Sequence, residues 1–156
     1  MAKAAAPATE RPSLTLRRHY PVAPEKVWRA WTDPQALKAW FGPEEIVSVP
    51  LAEVDLRVGG RFRVAMRAAD GETHDVSGTY LELVPNRKLV FSWAWRSTPE
   101  RESRVTVRIE PDGNGCELVL LHEQFFDEAA RDGHSHGWTG AMGKLGKWLA
   151  GQQQGA

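Results

Sequence analysis

Over most of the chain, apolar and polar residues alternate in short runs separated by turn-forming clusters. In residues 61–68, Phe62, Val64 and Met66 fall on one side and Arg61, Arg63 and Arg67 on the other. This period of two predicts a strand with one dry face and one wet face. The alternation returns in Leu89, Phe91, Trp93 and Trp95, in Val105, Val107 and Ile109 against Arg104, Thr106 and Arg108, and in Leu118, Leu120, His122 and Gln124. Reversals are supplied by Gly59-Gly60, Asp70-Gly71, Pro85-Asn86, Thr98-Pro99 and the run from Pro111 to Gly115, residue types that favour tight turns. Six strands are predicted, over residues 46–58, 61–68, 74–84, 88–96, 103–110 and 116–125, and the alternating segment 14–20 makes a seventh. Hairpin-length connections predict an antiparallel meander rather than βαβ units.

Three segments follow a helical period instead. Pro24 suits a first helical position, and Val27, Trp28 and Trp31 form one apolar stripe, predicting a short helix over 24–31. Asp33 is a natural N-cap and Pro34 a natural N1 residue for a second short helix, which carries Leu37, Trp40 and Phe41 and ends at Gly42-Pro43. Near the C-terminus Trp138, Ala141, Met142, Leu145, Trp148 and Leu149 lie within an arc of roughly 120°. They predict a long helix, beginning near Ser135, that covers the dry face of the sheet. Residues 127–131 are expected to add a separate turn of helix, with Gly133 breaking the chain between the two.

Lys144 and Lys147 are expected to face solvent. Gly137, Gly140, Gly143 and Gly146 avoid the apolar arc, and each weakens the helix by about 1 kcal/mol relative to Ala. The outer face is thus expected to be nearly bare. It would suit a second copy of the chain, in a homodimer, or leave the helix dependent on its packing and able to act as a gate. The predicted fold class is α+β: a seven-stranded curved antiparallel sheet around a long C-terminal helix, with two short helices after the first strand.

Composition narrows the function. Lys plus Arg and Asp plus Glu each number 20 and the formal net charge is +0, so no excess positive field exists to hold nucleic acid. No segment reaches the roughly 18 apolar residues of a membrane span, so membrane insertion is not expected. Residues 1–12 are Ala/Pro-rich without the apolar core of a secretory signal. They read as a disordered tail, residues 151–156 as a second tail, and residues 13–150 as one domain with a cytoplasmic location. Cys116 is the single cysteine and reads as core filler.

No phosphate-binding glycine loop or nucleophile elbow is present, so no cofactor and no catalytic residue are assigned. Asp132-x-His134-x-His136 has the residue types of a metal site, but alternate positions do not share a helix face; no metal is expected and the string reads as a polar helix start. His122 is placed inward by alternation. Either a neighbouring backbone group or tryptophan N–H satisfies it, or it is the polar handle of a pocket, with Gln124 as a second. The aromatic side chains point to one interior, which they either fill or line. The expected ligand-binding set is Trp40, Phe62, Met66, Phe91, Trp93, Trp95, Leu120, His122, Trp138 and Met142.

The run Ala23-Pro24-Glu25-Lys26-Val27-Trp28, then Asp33-Pro34, Trp40-Phe41-Gly42-Pro43, Asp55 to Gly60-Arg61-Phe62, Gly78-Thr79-Tyr80 and His134-x-x-Gly137-Trp138 resembles the family of the heat-shock protein 90 ATPase activator C-terminal domain. That family lies within the SRPBCC/START helix-grip superfamily, and the resemblance spans residues 14–150. It implies a cavity between sheet and C-terminal helix for a small hydrophobic or aromatic ligand, as in a carrier or sensor. The resemblance does not imply a reaction. Two alternatives stand beside the carrier or sensor: a polyketide cyclase/dehydratase-like or hydrolase enzyme using His122, and a chaperone co-factor or homodimeric interaction module using the bare face of the helix.

Overall fold

A computed structural model describes residues 11–154; residues 1–10 of the expected N-terminal tail lie outside this range. The elements are β1 (Leu14–Tyr20), α1 (Pro24–Thr32), α2 (Pro34–Trp40), β2 (Ile46–Val54), β3 (Arg61–Ala68), β4 (Thr73–Val84), β5 (Lys88–Trp95), β6 (Ser103–Asp112), β7 (Gly115–Glu123) and α3 (Glu128–Gln154). One seven-stranded sheet has the order β1-β7-β6-β5-β4-β3-β2, and every neighbouring pair is antiparallel. The meander of β2 to β7 therefore follows the chain, whereas β1 crosses to pair with β7, setting Leu16 opposite Leu120. Register shifts in the β2–β3 and β4–β5 ladders add local twist and bend the strands. Near the second, Gly78 permits a backbone approach that a Cβ would block by overlapping the Ser92 carbonyl.

The alternating apolar positions are buried as their period requires: Phe62, Val64 and Met66 on β3, Leu89, Phe91 and Trp93 on β5, Val105, Val107 and Ile109 on β6, Leu118 and Leu120 on β7. Trp138, Ala141, Met142, Leu145 and Leu149 of α3 join the same core, so the helix lies against the dry face of the sheet. This is the α+β helix-grip arrangement. Among the described residues no helix is long and apolar enough to cross a membrane.

Two strands stop two or more residues before their alternation suggests. β2 stops at Val54 because Asp55 and Arg57 enter a turn, in which Gly60 N–H donates to the Arg57 carbonyl and the Arg57 guanidinium pairs with Asp55. β7 stops at Glu123 because Gln124 adopts φ +67°. That left-handed residue ends the ladder and is itself only partly buried, and the inward place expected for Gln124 is taken by Phe125.

The boundary of α3 also differs from expectation. Asp127 accepts a hydrogen bond from Ala130 N–H, a side-chain cap that starts the helix at Glu128. Gly133 does not break it. A glycine weakens a helix by about 1 kcal/mol, which a cap and tertiary packing together override, so one helix runs from Glu128 through Gln154. Its last turn thus includes residues 151–154 of the segment read as a tail. Nor is the glycine face bare. A Cβ at Gly140 would lie 3.1 Å from Glu44 N, one at Gly146 would lie 3.3 Å from the Tyr20 ring, and one at Gly137 would touch Pro43, so only Gly143 of the four faces open space. Lys144, expected in solvent, is partly buried and donates to the Pro43 carbonyl at 3.1 Å. The α2–β2 loop has packed onto this face.

Candidate functional site

Where the first half of α3 crosses the ends of β3 and β5, the sheet and helix separate around a cavity of about 290 Å³. The sheet contributes Met66, Trp93 and Trp95, and the end of α2 and its following loop contribute Phe41, Gly42 and Pro43. Helix α3 contributes Ala129, Ala130, Gly133, His134, Gly137, Trp138 and Ala141. Steps of three and four keep these α3 residues on one helical face. Five of the seven are Ala or Gly, so this face of α3 contributes little side-chain volume and leaves the space vacant. Ala129 and Gly133 are exposed and Trp95 is only partly buried, which places the mouth beside the first turns of α3.

His134 is the titratable residue in this lining. Its Nε2 accepts from Trp95 Nε1–H at 2.9 Å and from Trp93 Nε1–H at 3.3 Å. Its Nδ1 lies 2.7 Å from the Ala130 carbonyl, which can only accept. The proton therefore sits on Nδ1 and the ring is neutral. Burial lowers its pKa, opposed by the bond to the Ala130 carbonyl. His122 lies deeper, fully buried behind Trp93 and Trp138. Trp138 Nε1–H donates to His122 Nδ1 at 3.0 Å, so Nε2 carries the proton and donates to Ser103 Oγ at 2.7 Å. Ser103 Oγ in turn donates to the Trp93 carbonyl at 3.3 Å. Burial, and then the charge that His134 would carry, hold His122 well below the ordinary histidine pKa. The indole N–H groups of all three lining tryptophans are thus engaged by imidazoles, and the rings present apolar surface to the cavity.

Residues 21–150 match the family model described as activator of Hsp90 ATPase homolog 1-like protein. The chain belongs to this family. It is 24% identical over 125 residues to the human activator of 90 kDa heat shock protein ATPase homolog 1, an alignment that covers 80% of this chain and 33% of that protein. The chain thus spans about a third of that relative's length. Solved structures are similar over nearly their full length. The AHSA1 (SPO3351) protein of Silicibacter pomeroyi is 31% identical with a TM-score of 0.81, over 90% of this chain and 99% of that one. Protein CV1439 of Chromobacterium violaceum is 28% identical with a TM-score of 0.81, over 88% and 96%.

Within this activator-like fold the structure divides the expected binding residues into three groups. Met66, Trp93, Trp95 and Trp138 line the cavity. Phe62 and Phe91 line a separate chamber of about 20 Å³, together with Trp31, Leu37, Phe41, Val64, Tyr80 and Leu89. Trp40, Leu120, His122 and Met142 line neither space and are almost fully buried. Trp40 Nε1–H is tied to the Ala30 carbonyl at 2.9 Å, and the Met142 carbonyl accepts from the Tyr20 hydroxyl at 2.8 Å. His122 is satisfied by Trp138 and Ser103, the first of the two alternatives its inward position allowed.

His134, Pro43 and the small residues of α3 were absent from the expected set. The signal was legible: Ala130, Gly133, Gly137 and Ala141 recur at helical spacing, and His134 precedes Trp138 by one turn. A helix taken to begin at Ser135 cannot show it. The Asp132-x-His134-x-His136 string diverges, as His134 turns inward while exposed His136 reaches Glu45 Oε1 at 3.0 Å and Asp132 pairs with Arg131.

Proposed function

We propose that the protein binds a small, neutral hydrophobic or aromatic molecule in the cavity between sheet and α3. One observation carries the reading: three tryptophans, with their N–H groups already bonded, face a vacant space of about 290 Å³ opposite a helix face of Ala and Gly. That volume is at the lower end of ligand pockets, which favours a compact guest. No charged side chain is in the lining, so an ionised guest would lose hydration without gaining a partner. Both ring nitrogens of His122 are engaged behind the tryptophan wall, which supports a binding role over acid/base chemistry at that residue.

The bicyclic hydrocarbon tetralin is a suitable probe. Titration should quench tryptophan emission saturably in the wild type. A Cβ at Gly137 makes only an ordinary contact, 3.8 Å from Pro43, and Gly137 lies near the middle of the lining face. Gly137→Leu should therefore fold, with equal or higher thermal stability, and lose tetralin binding. An unquenched wild type, with no small molecule retained in native mass spectra of the purified protein, would sink the proposal. Relatedness to the human activator supports a second reading, stimulation of a heat-shock ATPase; it rests on similarity to a third of that protein and is tested by adding this chain to an ATPase assay.

A further inference from the structure

Trp31 of α1 is 3% exposed, and its Nε1–H is the one buried side-chain N–H without a hydrogen-bond partner among the described residues. The contrast with its neighbours is sharp: Trp40 donates to a carbonyl, Trp93 and Trp95 to His134, and Trp138 to His122. Buried donors are rarely left unpaired, because they lose water without gaining an acceptor. Trp31 lines the small chamber of about 20 Å³, which has room for one oxygen-sized group. Phe41 lines both this chamber and the larger cavity, and its ring packs edge-on to Trp31 with centroids 6.4 Å apart. It is the C-cap residue of α2, already in extended conformation, and is followed by Gly42 at φ +95°. Phe41 is therefore the shared wall between the two spaces, placed where the helix has ended.

We infer that the guest is a hydrophobic molecule with one hydrogen-bond acceptor, a ketone or similar carbonyl. Its apolar body occupies the larger cavity, and its oxygen passes Phe41 to accept the Trp31 indole N–H. The inference rests on the cavity being a binding site and adds the chemistry of the ligand. The indole N–H can only donate, so the group it recognises is an acceptor; Tyr80 is the one other residue lining the inner chamber that carries a side-chain polar atom. A hydrocarbon of the same shape binds, but leaves the indole as it is.

The test compares 1-tetralone with tetralin. One neutral hydrogen bond predicts that the ratio of tetralin to tetralone dissociation constants falls roughly two- to tenfold in Trp31→Phe relative to wild type. Tetralin binding should survive that substitution. Independently of any variant, the assigned Trp31 Nε1–H resonance of the wild type should move downfield with tetralone and not with tetralin. An unchanged ratio, or a resonance that responds alike to both probes, overturns the acceptor assignment while leaving the cavity reading intact. Failure of both probes to bind the wild type overturns the two together.

Discussion

His122 and His134 are both held neutral, one by two hydrogen bonds in the core and the other by three at the cavity wall. In the unfolded chain each would titrate near about 6.5, and in the folded protein burial lowers both. Above about pH 6.5 neither state takes the proton and stability should not vary on their account. As pH falls below that value the unfolded chain binds protons that the native state refuses, so stability declines until the folded pKa is reached, by up to about 1.4 kcal/mol per pH unit for each histidine. Urea midpoints measured from pH 7.5 to pH 5 should show this fall, and His122→Gln should make it shallower. Equal stability at both ends would show that the histidines accept protons in place. Alternation along β7 was enough to set His122 inward, because side-chain direction in a strand is a local property. His134 was harder to place, since its role depends on indoles about forty residues away in the chain.

On α3, four glycines that look alike in the sequence have different surroundings, which makes their substitutions separable. Gly143 faces open space, and Gly143→Ala should raise stability by about 0.5–1 kcal/mol through helix propensity alone. Gly140 sits against the Glu44 backbone, so Gly140→Leu should displace the α2–β2 loop and lose about 1–3 kcal/mol, as over-packed sites do. Thermal denaturation of the two variants checks the difference in sign. Two stabilised proteins would mean that the loop yields freely. The helix wheel set the four glycines outside the apolar arc, but it could not report that Gly137 borders the cavity beside Trp138 and Ala141, that a loop from elsewhere in the chain covers the glycine side, or that Asp127 would cap the helix and carry it through Gly133.

For the molecule as a whole, the cavity lies where the grip of sheet on helix is least complete. The first turns of α3 have exposed Ala129 and Gly133 and no apolar side chain larger than alanine before His134, whereas the middle turns bury Trp138, Met142 and Leu145. Amide hydrogen exchange should therefore be fastest in α3 over residues 129–134 and slowest in the centres of β6 and β7. Saturating tetralin should slow the former selectively. Uniform protection along α3 would remove its first turns as the route of entry.

The strands, their buried faces, the turns between them and the apolar stripe of the last helix were determined by the sequence alone, because each is a matter of period and of backbone preference within a few residues. Tertiary structure decided the rest. It set β1 against β7 across about a hundred residues, paired His122 and His134 with tryptophan N–H groups, and laid Pro43 and Glu44 over Gly137 and Gly140. It also decided which aromatic rings fill the interior and which border a vacant space. That distinction depends on how well distant side chains match in volume, and neither the period nor the composition of the chain records it.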